Sequence, residues 1–133
     1  MTGLVLKLRP KERVLINGAV IENGDRRSKF SVLTPDAKIL RLRDALHPDE
    51  VTTPVRRVCY AAQLILTGDS KAEDTQLKLL RRIEELSQIL TDGDSRAQLA
   101  SATSALIDGQ HYQCLKSLRS LLSREQRLLV ARN

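Results

Sequence analysis

The composition of the chain changes near residue 57, and this change limits the fold more than any other feature. Residues 1–57 contain nine Val or Ile and eight Leu, whereas residues 58–133 contain six Val or Ile and fifteen Leu. All four prolines also lie before residue 57. Because β-branched residues favour strands and leucine favours helices, the sequence predicts a β-rich segment followed by a helical one.

Short apolar runs separated by turn residues divide the first segment. Leu4, Leu6 and Leu8 alternate with Val5, Lys7 and Arg9, which is the period of a strand. Asn17-Gly18 stands between two apolar runs and predicts a two-residue hairpin turn, because both residues tolerate positive φ. Gly24 marks a second turn, and further short runs bring the total to about five strands. We expect a small antiparallel sheet or open barrel.

The second segment carries apolar residues at helical spacing. Thr53-Pro54 is a typical helix start, and Gly68 is expected to end that helix. Ser70 and Glu73 match a capping box at the start of a second helix. A third helix is expected over residues 95–108, and a fourth from about residue 110, with no Gly or Pro to stop it before the C-terminus.

These patterns predict an α+β fold. A small N-terminal antiparallel sheet or open barrel of about five strands is followed by a C-terminal bundle of about four helices. The predicted units are residues 1–50, a basic β subdomain, and residues 51–133, a helical subdomain.

The sequence lacks the patterns of membrane and secreted proteins. The longest unbroken apolar run is Val58–Ala62, whereas a membrane span needs about 20 residues. No signal-peptide pattern opens the chain. We therefore expect a cytoplasmic protein that does not bind membranes.

No recognisable pattern of catalytic or metal-binding residues is present. There is no Gly-rich phosphate loop and no nucleophile elbow. Cys59 and Cys114 lie far apart with no CxxC partner, so buried reduced thiols are expected rather than a zinc site. His47 precedes Pro-Asp-Glu and is expected in a polar turn rather than as a general base. The sequence predicts no enzyme, no metal and no cofactor.

The net charge of +6 is concentrated in the first third of the chain. Residues 1–43 contain ten basic and four acidic side chains, an excess equal to that of the whole protein. The chain has three aromatic residues in total. A nucleic acid would therefore be held by charge and hydrogen bonds more than by base stacking. The alternative is that Lys and Arg protect edge strands from aggregation. For the cluster as a whole we favour binding.

The candidate nucleic-acid-binding residues are basic or lie in the turn near residue 25. Lys7 and Arg9 share one face of their strand. The adjacent pair at 56 and 57 lies on a first helical turn, where the macrodipole disfavours cations, so it either reaches back to nearby acids or faces an external anion. The full set is Arg9, Lys11, Arg13, Asn23, Asp25, Arg26, Arg27, Lys29, Arg41, Arg43, Arg56 and Arg57, with Asn17, Gly18, Gly24 and Pro54 assigned to turns.

Two adjacent columns of apolar residues run along the last predicted helix. One interpretation is a helix wedged between two others in the bundle, and the other is a helix that also meets a partner or a second copy of the chain. The candidate protein-contact residues are Leu115, Leu118, Leu122 and Leu129.

Three runs of residues resemble the FlbT family, which regulates flagellin synthesis in flagellated bacteria. They are Leu8-Arg9-Pro10-Lys11-Glu12-Arg13, the run Asn-Gly-Ala-Val-Ile-Glu-Asn-Gly-Asp-Arg-Arg from Asn17 to Arg27, and Thr53-Pro54-Val55-Arg56-Arg57. The likeness covers nearly the whole chain. It implies a non-enzymatic, cytoplasmic post-transcriptional regulator that binds the 5′ untranslated leader of flagellin mRNA and has FlaF as its protein partner. In the family such binding typically lowers translation or stability of the message, and some members promote flagellin expression instead.

A different class of function stays open. The chain could serve as a protein-only adaptor or secretion chaperone of a flagellar component, acting through its helical half. The basic sheet would then be only a soluble edge. In either case a homodimer is compatible with the apolar columns of the last helix.

Overall fold

All strands of the described chain precede its helices, as the change in composition predicts. The computed structural model describes residues 4–35 and 37–131, so the outer ends of the predicted units 1–50 and 51–133 lie outside the described residues. The strands are β1 (Leu4–Leu8), β2 (Arg13–Ile16), β3 (Ala19–Glu22), β4 (Ser28–Val32) and β5 (Ile39–Arg41). The helices are α1 (Pro54–Thr67), α2 (Ala72–Ile89), α3 (Gly93–Ile107), α4 (His111–Arg119) and α5 (Leu122–Ala131).

The strands form two small antiparallel sheets. β1 pairs with β4, and β2 lies between β3 and β5. Asn17 and Gly18 have φ angles of 49° and 85°, so the β2–β3 hairpin has the predicted turn with positive φ at both central positions. The predicted α+β class, with five N-terminal strands in open sheets and helices after them, is confirmed.

Alternation along β2 places the three-stranded sheet between two apolar layers. Val14 packs with Leu6 and Leu8 of β1. Leu15 packs on the opposite side, in the core that contains Leu40 and the helices. One face of the β1–β4 sheet is therefore buried against the second sheet, and its other face is open to solvent.

Helix α1 begins and ends as its sequence predicts. The Thr53 hydroxyl accepts a hydrogen bond from the Arg56 N–H at 3.3 Å, and Pro54 is the first helical residue. Gly68 closes the helix at a φ of 86°, in the left-handed region that glycine adopts without strain.

The predicted capping box of α2 is wrong. The N-cap is Lys71, and its side chain makes no capping hydrogen bond. The Ser70 N–H instead donates to the Leu64 carbonyl at 3.0 Å. Ser70 is thus held by the end of α1, one position too early to cap the next helix.

The last predicted helix is interrupted at Ser120 and Leu121, so the prediction of one unbroken helix is wrong. Leu121 is buried, and its N–H donates to the Leu118 carbonyl at 3.1 Å. Beyond this break, the Glu125 carboxylate of α5 accepts hydrogen bonds from the Thr53 hydroxyl and, at 2.9 Å, from the Val55 N–H. The break between α4 and α5 therefore has no Gly or Pro beside it. It is accompanied by the capping of α1 by Glu125, which is distant in sequence.

Replacing Glu125 with Ala is expected to lower the free energy of unfolding by about 2 kcal/mol, because the Val55 N–H and the Thr53 hydroxyl lose a charged acceptor. Chemical denaturation measures the loss. Gln126→Ala, at the next position of the same helix, is the matched control, with an expected change below about 0.5 kcal/mol because that side chain is exposed. Equal losses in the two variants would contradict the capping role.

Candidate nucleic-acid interface

A groove of about 450 Å³ lies where β1 ends and β4 begins. Five of its lining residues are basic, and no described acidic residue lines it. We call it the basic groove, and its lining residues are Lys7, Leu8, Arg9, Arg27, Ser28, Lys29 and Arg43.

The strand register builds this concentration of charge. Lys7 lies directly opposite Lys29 in the β1–β4 ladder. Arg9 and Arg27 lie just beyond the paired residues Leu8 and Ser28, outside the two strands, and line the same groove. Lys7 and Lys29 share one face of the sheet, because residues directly opposite each other in a ladder point to the same side. Leu8 follows Lys7 and is buried, so the face of Lys7 is the one open to solvent.

The four cations have no carboxylate partner among the described residues. Like charges directly opposite on a sheet destabilise it, by up to about 1 kcal/mol per pair. Protection of edge strands from aggregation would explain a charge on each strand, but it does not require that the charges lie opposite each other. A bound polyanion would remove the repulsion, which favours an anion-binding role for this face.

The Asn23 side chain fixes the backbone on both sides of the groove. Its amide nitrogen donates to the Arg9 carbonyl at 2.8 Å and to the Arg26 carbonyl at 2.9 Å. Its amide oxygen accepts from the Ser28 hydroxyl at 2.5 Å. Asn23 is one of the candidate nucleic-acid ligands. In the structure its side-chain amide holds the Arg9 and Arg26 segments together.

The Glu12 carboxylate also has a structural role. It accepts from the Arg9 N–H at 2.9 Å and from the Arg41 guanidinium at 3.2 Å, and it lies 3.5 Å from Nε of Arg43. Burial by itself would raise the pKa of Glu12, but the Arg9 hydrogen bond and the charges of Arg41 and Arg43 outweigh it and lower the pKa below its usual value. The Arg41 side chain is only 11% exposed. Of these two arginines, Arg43 is the one that lines the groove.

Other candidate residues lie in exposed ion pairs outside the groove. Lys11 contacts the Asp25 carboxylate at 2.9 Å, and Arg13 contacts the Glu22 carboxylate at 3.0 Å. Exposed pairs such as these contribute little stability. Their carboxylates lower the positive potential that a phosphate would meet.

The two arginines at the start of α1 differ in their surroundings. Arg56 reaches back, as one of the two interpretations requires, but to the carbonyl of Glu50 at 3.4 Å and the Thr52 hydroxyl at 3.5 Å rather than to a carboxylate. Arg57 is exposed. Neither residue lines the basic groove.

Sequence reasoning left Lys7 out of the candidate set, although it lines the groove and opposes Lys29. The available signal was its position between Leu6 and Leu8, which are both buried. An alternating strand with buried leucines on either side must present the intervening lysine to solvent.

The leucines proposed for protein contact divide between core and surface. Leu115 and Leu118 are buried in the helical core, where they contact this chain rather than a partner. Leu122 is partly buried against the same core. Leu129 is 39% exposed, beside the exposed side chain of Leu128 on α5.

The remaining polar candidates have structural roles. His47 caps the short turn that follows it, since its Nδ1 accepts from the Asp49 N–H at 3.1 Å, as the polar-turn interpretation predicts. Cys59 and Cys114 are free and buried, also as predicted, and burial raises the pKa of each thiol to about 12.

Within residues 4–35 and 37–131, no cluster of His, Cys, Asp and Glu could hold a metal ion. No helix in those ranges is long and apolar enough to cross a membrane.

Comparison with known proteins relates nearly the whole chain to flagellar proteins. A family model described as "Flagellar protein FlbT" matches residues 4–129. A "Probable flagellum biosynthesis repressor protein FlbT" of a Caulobacter species is 31% identical, with 95% of each chain covered. A protein of that name from Rhodopseudomonas palustris is 32% identical over 95% of this chain and 97% of its own. The "Flagellum biosynthesis repressor protein FlbT" of Caulobacter vibrioides is 29% identical over 95% and 89%. No solved structure matches.

Proposed function

The chain belongs to the FlbT family, and we propose that it represses flagellum biosynthesis by binding the 5′ untranslated leader of flagellin mRNA in the cytoplasm. The names of its relatives support the repressor role. The basic groove supports the choice of RNA as the ligand. Binding would lower translation of the message or its lifetime without any catalytic step by this protein.

The observation that carries the RNA proposal is the directly opposed pair of Lys7 and Lys29, with Arg9 and Arg27 lining the same groove. These four cations would contact phosphates of a nucleic-acid backbone. Arg43 also lines the groove from outside the two strands, but its charge is offset by the carboxylates of Glu12 at 3.5 Å and Asp44 at 3.9 Å.

The aromatic side chains do not contribute to this surface. Phe30 and Tyr112 pack against the apolar layer between the two sheets, and Tyr60 lies on α1. No aromatic side chain lines the groove, so it lacks an aromatic platform on which bases would stack. We propose that the protein recognises its RNA through the backbone and shape of the leader, with affinity that falls steeply as salt is added.

We further propose that the two parts of the chain have different partners. Residues 1–50 would bind RNA, and residues 51–133 would contact proteins such as FlaF. Degradation of the message would then require a separate nuclease.

Two adjacent arginines give a matched test of the groove. Arg27 lines it, whereas Arg26 is exposed outside it. Arg27→Gln is expected to weaken binding to a flagellin-leader RNA several-fold and to reduce the log–log salt slope by about 0.7, the loss of one phosphate contact on a single strand. Arg26→Gln removes the same charge and is expected to change both quantities much less. Fluorescence anisotropy over a salt series measures them, and equal effects would contradict the assignment of the site.

The exposed apolar surface of α5 favours a second candidate function, that of a protein-only adaptor or secretion chaperone. Leu128, Leu129 and Val130 are 40%, 39% and 61% exposed. Recovery of a flagellar protein from lysate that is unaffected by nuclease, together with no affinity for purified leader RNA, would favour this function over RNA binding.

A further inference from the structure

The outer edge of β3 has the properties of a strand that pairs with another chain. β3 is an edge strand of the three-stranded sheet, and its four residues are exposed. Val20 is 60% and Ile21 is 41% exposed. Exposed edges are usually protected by Lys, Pro or a bulge, but β3 has the sequence Ala-Val-Ile-Glu. Its one charge, on Glu22, is bound by Arg13 of the neighbouring strand.

The register of the hairpin shows which backbone groups point outward. The Asn23 N–H donates to the Glu12 carbonyl at 2.8 Å, which makes these two residues a hydrogen-bonded pair. Such pairs alternate with non-hydrogen-bonded pairs along an antiparallel ladder. Ile21 therefore bonds to β2, whereas the N–H and C=O groups of Val20 and Glu22 point away from the sheet.

We propose that β3 pairs in antiparallel fashion with β3 of a second copy of this chain. The two three-stranded sheets then become one six-stranded sheet around a two-fold axis. Val20 of one copy exchanges backbone hydrogen bonds with Glu22 of the other, and Ile21 lies on the axis against Ile21 of the second copy. This inference is independent of RNA binding.

The charges near β3 favour this register, and they support a second copy of the chain as the partner of this edge. Centring the pair on Glu22 would oppose two carboxylates, which is unfavourable. Centring it on Val20 would bring Gly18 of the turn opposite Glu22 and leave part of the edge unpaired. Centring it on Ile21 opposes each Glu22 to an apolar Val20, and each carboxylate keeps its own Arg13. The strand is therefore complementary to itself in charge and in backbone groups.

The size of the edge makes the dimer weak. Stable interfaces bury about 1,200–2,000 Å² in total, and a strand of four residues supplies only part of that area. We expect a monomer–dimer equilibrium that depends on protein concentration, with dissociation in the micromolar range or above.

Disulfide trapping tests the register directly. In the full-length protein, Ile21→Cys places two thiols across the axis in a non-hydrogen-bonded pair, with Cα atoms about 4.5 Å apart, within disulfide range. Val20→Cys is the matched control, because position 20 is more exposed but lies off the axis, beyond that range. The native Cys59 and Cys114 are buried, so they should stay unreactive. Mild oxidation is expected to crosslink Ile21→Cys at least tenfold faster than Val20→Cys, and equal rates would overturn the proposal.

Sedimentation over a concentration series tests the dimer without crosslinking. Val20→Pro removes only an N–H that points outward, so it is expected to fold and to stay monomeric at concentrations where the unmodified chain dimerises. Val20→Glu blocks the pairing without constraining the backbone, because it opposes a second carboxylate to Glu22 of the other copy, and like charges directly opposite destabilise a ladder. An unmodified chain that is monomeric throughout, or folded Val20 variants that dimerise as well as it does, would overturn the proposal.

Discussion

Replacing Lys7 and Lys29 together with Gln is expected to weaken binding of a flagellin-leader RNA by at least tenfold at about 0.1 M salt. The log–log salt slope should fall by about 1.4, the value for two phosphate contacts on a single strand. The same variant should be more stable than the unmodified protein, by up to about 1 kcal/mol, because two opposed like charges are removed from the β1–β4 ladder. Anisotropy measures the binding, and chemical denaturation measures the stability.

Opposite changes in affinity and stability distinguish a binding site from edge protection. The matched control is Lys71→Gln with Lys78→Gln, which removes the same net charge from exposed positions at or on α2. That control should change affinity only slightly. An unchanged affinity in the Lys7 and Lys29 variant, with or without a gain in stability, would show that the opposed lysines do not contact RNA.

Replacing Glu12 with Gln is expected to lower the free energy of unfolding by about 2–4 kcal/mol at neutral pH. Its carboxylate is a charged partner of Arg41 and Arg43 and also accepts the Arg9 N–H, and the loss of a buried charged acceptor leaves these donors poorly satisfied. Glu22→Gln is the matched control. Its carboxylate is exposed and, within the described part of the chain, pairs with Arg13 alone, so its loss should cost less than about 1 kcal/mol.

The stabilising effect of Glu12 is expected to disappear in acid. The pKa of Glu12 is lowered in the folded protein, so its ionised carboxylate stabilises the fold fully above the usual value of 4.5 and progressively less as the pH falls through the folded pKa. The difference in stability between Glu12→Gln and the unmodified chain should therefore be large at neutral pH and shrink below pH 4.5. A difference that is independent of pH would contradict the assigned role of the charge.

Features set by neighbouring residues could be predicted from the sequence. The Asn17-Gly18 turn and the ends of α1 at Thr53 and Gly68 depend on φ preferences and on a local hydroxyl cap, and all three are confirmed. The order of strands before helices follows from composition and is also confirmed.

Features that depend on distant contacts could not be predicted. The β1–β4 register is not set by a tight turn, because the β2–β3 hairpin stands between these strands, so the opposition of Lys7 and Lys29 has no local signal. The break between α4 and α5 likewise accompanies the contact of Glu125 with the start of α1, about 70 residues earlier in the chain. The burial of Leu115 and Leu118 depends on how the helices pack.

The central claim is that the basic groove binds flagellin-leader RNA, and a titration followed by NMR tests it most directly. Backbone amide signals of Lys7, Arg9, Arg27 and Lys29 are expected to shift in proportion to added RNA, and the shifts should reverse when salt is raised. Signals from α5 should stay in place. No shifts at low salt, or shifts confined to the helices, would contradict the claim.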